Sequence, residues 1–113
     1  MSSLKLVIVE KFMINWVRVA ASKDVPTNTG LAVEVEDQAV ALYKVDGQVY
    51  AIEGVCPHAG GPLAEGSLNG CLAMCPWHGW EFDVKTGKCD FNPEIAVKTY
   101  PVKEEKGEIF IKI

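Results

Sequence analysis

Two short segments of this 113-residue chain gather the side chains able to hold a metal. Cys56-Pro57-His58 and Cys75-Pro76-Trp77-His78 each offer one thiol and one imidazole, with sixteen residues between His58 and Cys75. A proline directly follows each cysteine, and glycines close each segment, Gly60-Gly61 in the first and Gly79 in the second. Proline restricts φ and glycine lets the main chain approach closely, so backbone N–H groups can face an anionic centre without side chains in the way. Two such loops facing each other form a cage. Two thiolates and two imidazoles satisfy tetrahedral zinc. They equally satisfy a [2Fe–2S] cluster in which two histidines replace two cysteines on one iron. Zinc fingers usually draw Cys with Cys and His with His from one short stretch, whereas here each loop supplies one of each. Facing loops can give one ion both thiolates and its neighbour both imidazoles, so the alternation suits the two-iron centre.

The rest of the chain has to position these loops, and from Asn15 it reads as short β segments parted by turn signals, the pattern of a small all-β domain. Trp16-Val17-Arg18-Val19 predicts a first strand, and Ala21 to Val25, stopped by Pro26, a turn or a single helical turn. Leu31, Val33 and Val35 alternate with Ala32, Glu34 and Glu36, and Asp37-Gln38 is expected to turn the chain into Ala39 to Val45. Asp46-Gly47 is the strongest hairpin signal, because the favoured tight turn needs positive φ at both central residues. Val49 to Ile52 returns. Between Gly54 and Asp90 strands shorten and Gly, Pro, Cys, His and Trp crowd together, which marks an inserted subdomain of about 54–90 within a single domain of 1–113. Ala96 to Val102 and Glu108 to Ile113 then alternate again around Lys106-Gly107, so the C-terminal part rejoins the framework. Residues 1–12 are expected to form an extra strand or a tail.

The motif Cys-x-His, sixteen residues, Cys-x-x-His, with Cys-Pro-Trp-His-Gly-Trp in the second loop, resembles the Rieske iron–sulfur family. The resemblance implies an antiparallel β framework carrying a small inserted cluster-binding subdomain, with one [2Fe–2S] cluster per chain. It also implies that Cys56 and Cys75 bind one iron and His58 and His78 the other. Rieske proteins of quinol-oxidising complexes carry a disulfide between positions matching Gly61 and Trp77, and hydroxyls at positions matching Trp80 and Phe82. None of these features is present here. Fewer donors to the sulfurs mean less stabilisation of the reduced state, so the expected potential lies toward the lower end of a range of roughly −150 to +300 mV. Rieske oxygenases add a mononuclear iron held by two histidines and a carboxylate. This chain has only two histidines in all, both already in the motif.

The resemblance therefore implies a soluble ferredoxin, an electron carrier rather than an enzyme, passing electrons from a flavin-containing NAD(P)H reductase to a terminal ring-hydroxylating oxygenase. The alternative is a Rieske-like small subunit of a larger reductase such as an assimilatory nitrite reductase, and a structural zinc module is a third reading. The formal charge of −4, from 11 basic and 15 acidic residues, disfavours nucleic acid and anionic membrane surfaces. Leu4 to Val9 is interrupted by Lys5 and followed by Glu10 and Lys11, unlike a signal peptide, and no run suffices for a membrane span. A cytoplasmic location is expected, where structural disulfides are rare. Cys71 and Cys89, outside the motif, are expected to pack as small hydrophobes. Trp77 and Trp80 read either as core or as a water-excluding cover for the centre. Pro93 reads as part of a covering loop or as a plain turn, and Glu104, Glu105 and Glu108 as a solvated face.

Overall fold

The computed structural model describes residues 16–113, so the expectation for residues 1–12 lies outside the described residues. Ten strands form three antiparallel sheets among these residues. The largest has the order β2-β3-β4-β8, from Leu31–Val35, Gln38–Val45, Gln48–Glu53 and Thr99–Tyr100. A second has the order β1-β10-β9, from Trp16–Ala21, Glu108–Lys112 and Val102–Glu105. The third, β5-β6-β7, is built from Leu68–Asn69, Leu72–Met74 and Glu81–Asp83 inside the inserted segment. The all-β expectation holds, and Ser22–Asp24 forms the single helical turn expected before Pro26.

Strand β3 explains how the layers stack. Its run Val40-Ala41-Leu42-Tyr43 is buried at every position, so both faces of the strand are covered. Because side chains alternate across a strand, Val40 and Leu42 join Val49, Ala51, Ile109 and Ile111 in a cluster shared with the second sheet. Ala41 and Tyr43 join Ile52, Leu63, Phe82, Cys56 and Cys75 in a cluster that seats the inserted segment.

Three two-residue hairpin turns set the registers of the two sheets outside the inserted segment. Asp46-Gly47 and Lys106-Gly107 have positive φ at both positions, as expected for tight turns that match strand twist. The first turn lies one residue earlier than expected, at Glu36-Asp37, with φ of 51° and 68°, and Val35 pairs with Gln38. The expected strand Ala96 to Val102 is also corrected. It divides at Pro101, which has no N–H to give a ladder. Thr99–Tyr100 pairs with β4 and Val102–Glu105 with β10, so the chain crosses there from one sheet to the other. The inserted segment leaves and re-enters at one point. Glu53 N–H donates to the Lys98 carbonyl at 2.8 Å, and Lys98 N–H donates to Glu53 Oε1 at 3.0 Å.

Candidate metal centre

The two Cys/His loops are built alike. In the first, Cys56 N–H donates to the Gly61 carbonyl at 2.9 Å and Gly60 N–H donates to the Cys56 carbonyl at 2.8 Å. In the second, Cys75 N–H donates to the Trp80 carbonyl at 2.7 Å and Gly79 N–H to the Cys75 carbonyl at 2.9 Å. Gly60 and Gly79 take φ of 78° and 77°, a conformation that costs glycine little and other residues more. The loops match at cysteine, proline and glycine, yet the histidines are staggered, two residues after Cys56 and three after Cys75.

This architecture brings the four expected residues together in pairs. The His58 and His78 rings lie edge to face with centroids 4.8 Å apart, and both side chains reach the surface. Cys56 and Cys75 are buried beneath them as neighbours. Burial pushes the Cys56 thiol up, and the neighbouring Cys75 adds to this, while the N–H groups of His58 and Ala59 act against it. Those two N–H groups converge on the sulfur, as the glycine-closed loop was expected to allow. Among the described residues, no three His, Cys, Asp or Glu side chains are placed to hold a single ion. A thiol pair below an imidazole pair fits a two-iron group, each iron taking two protein ligands, better than it fits one closed zinc ion.

Around this site the aromatic side chains divide. Trp80 stacks on His58 at 4.1 Å and 8°, so it shields one face of that imidazole, and Phe91 meets Trp80 edge-on at 4.9 Å. Trp77, 57% exposed, lies instead across Gly61, where an added Cβ would come within 3.1 Å of its ring. Positions 61 and 77, which carry a disulfide in quinol-oxidising Rieske proteins, are thus in contact here without one. Pro93 sits exposed in a turn in which Asn92 Oδ1 accepts from Glu94 N–H, and it is Phe91, 62% exposed, that this turn lays against the site.

The other cysteines are free thiols; Cys89 is buried and Cys71 half-buried. Cys71 borders a cleft of 610 Å³ with Thr27, Lys44, Asp46 and Lys85, which contains none of the four paired residues. Glu104, Glu105 and Glu108 lie on the β9–β10 hairpin, where they meet Ser22, Lys103 and Arg18. One residue at the site escaped sequence reasoning, Phe91, which meets Trp80. Phe91 adjoins the Pro93 signal in the sequence.

Comparison with known proteins agrees with this architecture. The chain is 37% identical over 100 residues to the ferredoxin component of the naphthalene 1,2-dioxygenase/salicylate 5-hydroxylase systems of a Ralstonia species, covering 88% of this chain and 96% of the relative. Its fold is similar to that of a ferredoxin from Sphingomonas yanoikuyae B1, with a TM-score of 0.81 and 36% identity over 88% of this chain and 99% of the other. It is also similar to a chain in the complex of reduced oxygenase and oxidised ferredoxin of carbazole 1,9a-dioxygenase, with a TM-score of 0.78 and 32% identity over 87% and 93%. The family model described as Rieske [2Fe-2S] domain matches residues 15–101, and with the paired loops lying inside that span, the chain belongs to this family.

Proposed function

We propose that this protein is a one-electron carrier that delivers electrons from an NAD(P)H-dependent flavoprotein reductase to a terminal oxygenase of the ring-hydroxylating type. The observation that carries this reading is the placement of His58 and His78 side by side at the surface above a buried thiol pair. In this reading Cys56 and Cys75 hold the inner iron and His58 and His78 the outer one. The [2Fe–2S] group supplies reversible one-electron chemistry when bound. The chain buries the sulfur side, directs main-chain N–H groups at Cys56, and leaves the imidazole edges open to a partner. Trp80 fixes the orientation of His58 and keeps water from one face of it. Electrons pass by close approach of another protein, and no substrate is transformed on this chain.

Several features support the assignment to an oxygenase system. The relatives described above are ferredoxin components or ferredoxins, and each matches nearly this chain's whole length. All four candidate ligands, Cys56, His58, Cys75 and His78, are present. No helix among the described residues is long and apolar enough to cross a membrane, and the reading places the carrier in the cytoplasm, as one domain whose segment 54–90 is the cluster-binding subdomain. The test is low-temperature EPR and nitrogen ENDOR of the dithionite-reduced protein, with iron, sulfide and zinc assayed on the same sample. A rhombic two-iron signal coupled to two imidazole nitrogens is expected. One zinc per chain without sulfide would overturn the reading.

A further inference from the structure

We propose that the turn from Asp90 to Glu94 is a docking element for the electron acceptor, and that it fits a protein offering an apolar hollow bordered by lysine and arginine. The inference rests on the reading of this protein as an electron carrier. Among the described residues, the large hydrophobic side chains left exposed are Val55, Trp77 and Phe91, and all three lie between Glu53 and Lys98, the segment that carries the paired loops. Phe91 is the most exposed of them. Its ring meets Trp80 edge-on at 4.9 Å, and Trp80 stacks on His58 at 4.1 Å, so one side chain separates the exposed ring from a proposed ligand.

The turn beneath this ring is fastened at both ends. Asp90 N–H donates to the Glu81 carbonyl at 2.8 Å, Ile95 N–H to the Asn92 carbonyl at 3.0 Å, and Glu94 N–H to Asn92 Oδ1 at 3.1 Å. An aromatic side chain already held in place loses little freedom when a partner covers it, and the water it sheds favours the complex. The charge nearby sets what that partner is. Glu81 follows Trp80, Asp90 and Glu94 bracket Phe91 within the turn, and neither ion pair among the described residues includes any of the three. No lysine or arginine occurs between Lys44 and Lys85, a span that holds both paired loops. Two of the lysines that flank this region, Lys85 and Lys98, hold Nζ over the rings of Tyr50 and Tyr100 on the framework. An apolar ring among unpaired carboxylates attracts a partner whose rim is cationic and repels one whose rim is acidic. A second copy of this chain would set the same carboxylates against each other, so it is the wrong occupant.

The experiment follows, by stopped flow at several ionic strengths, the oxidation of the reduced, cluster-loaded protein by ferric cytochrome c, a haem protein whose haem edge is ringed by lysines. One electron leaves the reduced centre for the ferric haem, and no bond forms or breaks. The wild-type rate should fall as ionic strength rises. Asp90→Asn with Glu94→Gln should slow the reaction roughly tenfold at low ionic strength and flatten its salt dependence. Glu104→Gln with Glu105→Gln removes the same two charges from the β9–β10 hairpin of the other sheet, and should leave most of the rate in place. Phe91→Ser should slow the reaction about tenfold at every ionic strength with the potential unmoved. Equal effects of the two carboxylate pairs would assign the attraction to net charge and overturn this inference alone, as would unchanged rates in Phe91→Ser and in the Asp90, Glu94 pair. A concentration-dependent dimer of the wild type that Phe91→Ser abolishes would give the face to a second copy and overturn it too. Absence of the nitrogen-coupled signal in the wild type, or of any electron transfer, overturns the carrier reading and the inference together.

Discussion

Replacing Gly61 with alanine adds one carbon at the position where the two loops meet. That carbon would lie 2.7 Å from Cys75 Sγ and 3.1 Å from Cγ and Cδ2 of Trp77. Non-bonded heavy atoms settle at about 3.5–4.0 Å, so the sulfur or the added carbon has to retreat by about 1 Å. Cys75 has no free space to retreat into, being 0% exposed, and its N–H is tied to the Trp80 carbonyl. Metal–ligand distances tolerate only about 0.2 Å, so a shift of that size at a proposed ligand is several times too large. Gly60 is the natural control. Its φ of 78° penalises alanine, but a Cβ there meets nothing within 4 Å. Gly60→Ala should cost about 1–2 kcal/mol of backbone strain, lower the melting temperature by about 4 °C or more, and keep the cluster. Gly61→Ala should weaken iron retention by roughly 10–100-fold. Iron and sulfide per chain, visible absorption and EPR of the reduced protein measure both outcomes. A Gly61→Ala protein with full iron and an unaltered signal would refute the steric argument, as would equal loss of iron in the two variants.

Other perturbations separate the remaining roles. His58→Ser or Cys75→Ser should abolish the nitrogen-coupled two-iron signal, while Cys71→Ser should spare it; loss of the signal in Cys71→Ser would contradict the ligand assignment. Phe91→Ser removes an aromatic side chain 62% exposed beside Trp80. It should weaken productive association with the redox partner by about tenfold, read as a higher KM in reconstituted turnover with an unchanged potential, and equal KM values would remove Phe91 from the docking surface. Burial, aided by the negative charge of Glu53, raises the pKa of Tyr100, so its proton is held in the folded chain after the unfolded chain releases it near 10. The folded state binds more protons in that window, hence stability falls as pH rises above about 10. Tyr100→Phe should flatten the fall, which urea denaturation at pH 9 and pH 11 would show.

The site was more legible in the sequence than the contacts around it. Cys56, His58, Cys75 and His78 announce themselves because few residue types bind metal, and Pro57, Pro76, Gly60 and Gly79 mark the loop shape through backbone constraint. The hairpins at Asp46-Gly47 and Lys106-Gly107 are equally plain. At Glu36-Asp37 the signal is blurred, since two acidic residues sit at positive φ where glycine or asparagine would be expected. Hydrophobic alternation runs unbroken through Tyr100, Pro101 and Val102, so it cannot show that the chain changes sheets there. The stacking of Trp80 on His58 and the edge of Phe91 on Trp80 arise from packing between separate segments. Local pattern carries no record of such contacts.

The paired hydrogen bonds between Glu53 and Lys98 bear on how such a protein can change over evolutionary time. The ends of the segment between Glu53 and Lys98 are fixed side by side by strands whose other face packs in a separate apolar cluster. A loop whose ends are already joined pays little for extra length, about 0.6 kcal/mol for each doubling. The framework can thus accept segments of different length between Glu53 and Lys98, provided each keeps an apolar face to pack on Ala41, Tyr43 and Ile52.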